Sequence, residues 1–160
     1  MISDSHVYLY TDCIVLVDKS GSMKAENRWS HVRKRVGSIS NQVSLYNQAG
    51  ADVCFFSKQT EWIKNVKSVS KVNALFEAHI PESDLETNTS LALRESFNKH
   101  FYRHKKNPDQ NTHIYLFTDD VPTDNEDIVR MFREVTIKTK DRNEQLKIAV
   151  AKQGFLTRKI

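Results

Sequence analysis

Residues 14–24 read IVLVDKSGSMK. An apolar run from Cys13 to Val17 stops on Asp18, and two serines follow at alternate positions, Ser20 and Ser22. Apolar residues on both faces of so short a run predict a central parallel strand covered by helices on both sides. That strand is expected over Asp12 to Val17.

Outward from it, short β-rich runs alternate with longer helical patterns. Trp29, Val32, Val36, Ile39, Val43 and Tyr46 step by three or four, predicting a helix from Arg28 to about Asn47 with Gly50 as its stop. VCFF (53–56) predicts a second strand and EWIKNV (61–66) another short one. Ser70 is expected to cap a short helix carrying Val72, Leu75 and Phe76. A helix from about Thr89 to Arg103 follows, with Leu93, Phe97 and Phe101 at four-residue steps. HIYLFT (113–118) is the next strand, Asn125 to Lys140 the next helix, and LKIAVA (146–151) the expected last strand. The alternation predicts an α/β fold: a doubly wound, mostly parallel central sheet with helices on both faces. One domain over residues 1–160 is the simplest division. In such sheets ligands bind at the carboxyl ends of the strands, and two of those ends carry aspartate.

Composition narrows the function classes. Lys+Arg 24 against Asp+Glu 20 leaves a mild net charge of +4, too small to imply nucleic acid without a focused patch. The basic clusters Arg33-Lys34-Arg35 and His104-Lys105-Lys106 read as solvated helix faces. Cys13 and Cys54 sit inside apolar runs and read as buried core thiols, not as a disulfide or metal pair. The first residues, MISDSHVYLY, lack the basic start and long apolar stretch of a signal peptide, and no run approaches membrane-spanning length. The expectation is a reducing, cytoplasmic setting. No phosphate-binding glycine loop, dinucleotide fingerprint or nucleophile elbow is present. His100 and His104 lie four apart, a zinc-compatible spacing, but without a third ligand they read as a solvated helix end.

In a turn, positions i, i+2 and i+4 can face one side, so Asp18, Ser20 and Ser22 can converge as an all-oxygen set of low charge. Gly21 permits the tight turn. Such a set suits hard Mg²⁺, with Mn²⁺ or Ca²⁺ as substitutes, and offers nothing to thiophilic metals. LETNTSLAL (85–93) places Thr87 in a loop before a helix, and IYLFTDD (114–120) places Asp119 at the end of another apolar strand. Each has a plainer role available: a helix cap for the serines and Thr87, a turn residue before Pro122 for Asp119.

Taken in order, these three segments resemble the von Willebrand factor A-type domain and its metal-ion-dependent adhesion site. The family pattern is Asp-x-Ser-x-Ser after the first strand, a later loop Thr, and an Asp after an apolar strand; here these are Asp18, Ser20, Ser22, Thr87 and Asp119. RWSHVRKRV, LFTDD and KDRNEQLKI look most like the stand-alone soluble branch found in microbes and fungi. The resemblance implies Mg²⁺ contacted by Ser20, Ser22 and Thr87, with Asp18 and Asp119 acting partly through water. A Glu or Asp carboxylate from a protein partner would complete the coordination. It implies a non-enzymatic binding module; the mild charge and the lack of a membrane-length run argue against nucleic-acid and membrane partners. Two positions depart from the pattern, Glu86 and Asp120 standing where glycines are usual. The family's final helix has no counterpart in AKQGFLTRKI. The alternatives are an Mg²⁺-dependent phosphoryl-transfer enzyme of the haloacid-dehalogenase type, with Asp18 as nucleophile and Asp119-Asp120 as ligands, and a metal-free scaffold. The enzyme needs a carboxylate two residues after the nucleophile, where Ser20 stands.

Overall fold

The unbroken apolar run forms strand β1, Thr11–Asp18, and from Cys13 to Asp18 every residue is buried. In the computed structural model, which describes residues 11–82, 87–119, 125–142, 146–152 and 155–159, β1 lies inside a six-stranded sheet. A 3₁₀ segment, Gly21–Asn27, leads into helix α1, Arg28–Tyr46. Strands β2 (Ala51–Phe56) and β3 (Thr60–Val66) follow, then helices α2 (Val69–Ala78) and α3 (Thr89–Lys106). The chain continues through β4 (Asn111–Thr118), α4 (Asn125–Arg142), β5 (Leu146–Lys152) and β6 (Phe155–Lys159).

The strand order is β3-β2-β1-β4-β5-β6. Pairings β1–β2, β1–β4 and β4–β5 are parallel, while the outer strands β3 and β6 are antiparallel to their neighbours. Alternate residues of β1 serve two cores. Cys13, Val15 and Val17 pack with Val32 and Val36 of α1 and Val72, Leu75 and Phe76 of α2. Ile14 and Leu16 pack with Ala92, Leu93 and Phe97 of α3 and Ile128, Met131 and Val135 of α4. The sheet is doubly wound, as the alternation of elements predicts. Cys13 and Cys54 are free and buried in opposite cores, so the sheet separates them.

Three expectations need correction. LKIAVA is not the last strand: β6 adds an antiparallel edge beyond it. A five-residue strand paired on one side carries too little apolar periodicity to be read from sequence. The cap of α2 is Ser68, not Ser70. Ser68 has the extended backbone a cap requires (φ −137°, ψ 154°), and its Oγ accepts from the Lys71 N–H at 3.2 Å, whereas Ser70 is already helical. His100 is not part of a solvated helix end. It is fully buried, with Nδ1 2.8 Å from the Thr112 hydroxyl. Gly50 ends the turn after α1 with φ +72°, and a Cβ there would lie 2.6 Å from the Val66 carbonyl oxygen.

Candidate metal centre

The winding of the sheet reverses at β1. The connection through α1 places β2 on one side, while β4 lies on the other, so a crevice opens at the carboxyl ends of β1 and β4. Asp18 ends β1 and Asp119 follows β4.

Backbone contacts hold the first loop from both sides. The Lys19 N–H donates to the Phe56 carbonyl at 2.9 Å, the Lys19 carbonyl accepts from Glu82 N–H at 3.1 Å, and Met23 N–H closes a turn onto Ser20 O at 3.0 Å. Met23 itself is buried in the core beneath. The Lys19 side chain leaves for Glu61, 3.2 Å away. His79 joins Glu61 at 2.8 Å and stacks on Phe55. Burial is the largest single influence on the Glu61 carboxyl and would raise it, but Lys19 and His79 together outweigh it and hold Glu61 below the ordinary carboxylate range.

The structure joins four of the five expected residues in one hydrogen-bonded set. Asp18 Oδ1 accepts from the Ser20 N–H at 2.8 Å, and its Oδ2 accepts from the Thr118 hydroxyl at 2.9 Å. The Ser20 and Ser22 hydroxyls are 3.0 Å apart, and Ser22 Oγ donates to Asp119 Oδ1 at 3.0 Å. The serines cap no helix: neither the 3₁₀ segment nor α1 receives a side-chain cap bond. Thr87 is not a cap either. Asn88 takes that role on α3, accepting from Leu91 N–H and Ser90 Oγ at 3.1 Å each. The Asn88 N–H donates to Ser57 O at 2.7 Å, which ties the Thr87 loop to the end of β2. Among the described residues Thr87 shares no hydrogen bond with the other four. Glu86 and Asp120 lie outside the described residues.

Two participants escape sequence reading. Thr118 is buried beneath Asp18 and reads only as the end of a strand. Arg28 reads as the start of a helix, yet its Nη1 donates to Asp119 Oδ2 at 2.9 Å and to Ser22 O at 3.2 Å. No sequence signal announces the Thr118–Asp18 or the Arg28–Asp119 contact, since each spans the fold.

Burial pushes the Asp18 carboxyl above its ordinary 3.8; the Ser20 and Thr118 bonds oppose this without cancelling it, and the Asp119 charge adds to it. A fully buried anion is thus incompletely compensated by its protein partners. Beside it stand two hydroxyl oxygens and a second carboxylate. Asp18, Asp119 and Arg28 together carry one net negative charge. Hard-oxygen donors around an under-compensated buried charge fit a divalent cation of the Mg²⁺ class. A cavity of about 370 Å³, lined in part by Thr11, Cys13, Tyr46 and Tyr115, lies toward the opposite end of the strands and shares none of these residues.

The family model of the von Willebrand factor type A domain matches residues 12–151. The chain belongs to this family. It is similar in fold to the manganese-loaded TRAP protein of Plasmodium vivax, at 23% identity and TM-score 0.61, covering 92% of this chain and 59% of that structure. The chain therefore spans little more than half of that protein's resolved length. A weaker likeness is to the vWF domain of the type V pili tip protein Mfa5 from Porphyromonas gingivalis, at 17% identity and TM-score 0.49, covering 70% of this chain and 38% of that one. No curated protein matches the sequence. No helix among the described residues is long and apolar enough to cross a membrane.

Proposed function

We propose that this domain is a divalent-metal-dependent protein-binding module whose cation captures an acidic side chain of a partner protein. The observation that carries the reading is the bonded set of Asp18, Ser20, Ser22 and Asp119 at the point where the sheet winding reverses. Family membership supports it, as does the manganese carried by the TRAP structure of like fold. Ser20, Ser22 and Thr87 would hold the ion directly, and Asp18 and Asp119 would orient its waters. Mg²⁺ is the proposed physiological ion, with Mn²⁺ or Ca²⁺ as substitutes. The ion would supply an electrophilic position for a Glu or Asp carboxylate.

The chain's own residues do the rest. The loop contacts of Lys19 and Met23 fix the spacing of the serines, and Thr118 fixes the Asp18 carboxylate. A set with only one net negative charge leaves a divalent ion short of neutralisation, so an incoming carboxylate gains a strong interaction once water is excluded. No covalent step is needed, and Ser20 stands where phosphoryl transfer on Asp18 would require a carboxylate. The proposal covers a single domain in a reducing, cytoplasmic setting.

Two measurements test it. Mn²⁺ titrated calorimetrically into metal-stripped protein should bind saturably, and binding should be lost in a Ser20→Ala/Ser22→Ala double variant. Acetate added to the Mn²⁺-loaded protein should displace water and lower the water-proton relaxation enhancement, while acetamide should not. Absence of saturable Mn²⁺ binding at millimolar concentrations refutes the metal reading. Equal effects of acetate and acetamide refute carboxylate capture.

A further inference from the structure

Arg28 is costly to place where it stands. Two consecutive non-glycine residues before it, Glu26 (φ 53°) and Asn27 (φ 58°), adopt the left-handed conformation that a Cβ disfavours. Its Nε–H is buried without an acceptor. What this placement secures is contact with the candidate centre: Nη1 reaches Asp119 Oδ2 at 2.9 Å and Ser22 O at 3.2 Å. The Arg28 side chain is 20% exposed and that of Asp119 4%, so the pair is mostly shielded from solvent. Meanwhile Nη2 lies 3.3 Å from Oε2 of Glu26, whose side chain is 79% exposed. The guanidinium is shared between a buried carboxylate of the centre and a second carboxylate in water.

Resting on the metal reading, we propose that Arg28 is a built-in rival of the metal ion. In the metal-free protein its guanidinium neutralises Asp119. When a divalent cation is held by the serine hydroxyls, the like charges repel, and Arg28 shifts its weight to Glu26. Both Asp119 oxygens are engaged, one by Ser22 and one by Arg28, so a cation must compete for them. At separations of a few ångströms in a partly shielded site this repulsion is substantial. Its effect is to keep metal affinity modest and release ready. The orphan Nε–H and the left-handed pair mark a contact kept at the expense of stability.

The test compares wild type, Arg28→Gln and Arg28→Lys by Mn²⁺ calorimetry, with melting temperatures in EDTA and in saturating Mn²⁺. Arg28→Gln should bind Mn²⁺ about tenfold more tightly, ~1.4 kcal/mol. It should also melt below wild type in EDTA, with the gap closing in Mn²⁺. Arg28→Lys keeps the charge and should stay within about threefold of wild type. The EDTA melts show directly that each variant is folded. If Arg28→Gln binds Mn²⁺ no more tightly than wild type, the rivalry is refuted and the metal centre stands. If Arg28→Lys gains as much as Arg28→Gln, charge is not the cause and the proposal is again refuted. If none of the three proteins binds Mn²⁺, the metal reading falls and takes this inference with it.

Discussion

Replacing Asp18 by Asn removes one charge and almost nothing else. Asp18 is fully buried, accepting from the Ser20 N–H at 2.8 Å and the Thr118 hydroxyl at 2.9 Å. The Asn oxygen can keep the first bond, and its amide can donate to a Thr118 hydroxyl turned to accept. Volume and bond count are preserved. Burial holds the wild-type carboxyl above its ordinary 3.8, so the folded metal-free protein binds that proton more tightly than the unfolded chain does. The contribution of Asp18 to stability is therefore lost as pH rises through the folded pKa, and at neutral pH the charge is a burden. In EDTA, Asp18→Asn should melt at or above wild type. Metal reverses the order. A ligand at 100 times its dissociation constant adds about 2.7 kcal/mol to the native state. For a chain of this size each kcal/mol is roughly 2–4 °C, so wild type should rise by about 5–11 °C while the variant rises little. Scanning calorimetry in EDTA and in Mn²⁺ should show the two proteins exchanging rank. A variant melting well below wild type in EDTA would refute the burial argument. A variant that kept the full metal shift would remove Asp18 from the site.

Thr87→Val should leave the EDTA melting temperature within about 2 °C of wild type, since Thr87 caps nothing, but should weaken Mn²⁺ binding severalfold in calorimetry. His100→Ala empties a fully buried ring site and strips Thr112 of its imidazole contact; urea titration should show a loss of about 3 kcal/mol. Asp12 is also raised above 3.8, burial outweighing its Arg103 partner. Stability measured between about pH 4 and about pH 7 should therefore move in favour of Asp12→Asn over wild type as pH rises; the opposite slope would show that the Arg103 ion pair dominates.

The central strands were legible because burial on both faces leaves an unbroken apolar run, as in CIVLV and IYLF, that few other structures require. The loop oxygens were legible for a different reason: their spacing is local, and Asp18, Ser20 and Ser22 lie within five residues. What stayed hidden depends on contacts between distant parts of the chain. His100 sits in a strongly basic helix segment, and only the approach of β4 makes it core. Arg28 is six residues past Ser22, and nothing in AENRW discloses the left-handed pair that turns it toward Asp119. The cap of α2 lies two residues before the expected one because SVS offers two serines, and backbone conformation alone decides between them.

The bonds that close the centre join residues 97 and 100 positions apart, Ser22 to Asp119 and Thr118 to Asp18. Synthesis delivers β1, α1 and β2 long before β4 exists, and at ordinary elongation rates that interval is several seconds. Throughout it the DKSGS loop has no second wall. A chain that ends before β4 lacks the Thr118 and Asp119 oxygens that face the loop. Under the proposed metal reading, only a chain synthesised past Asp119 could hold the ion with its full set of oxygens.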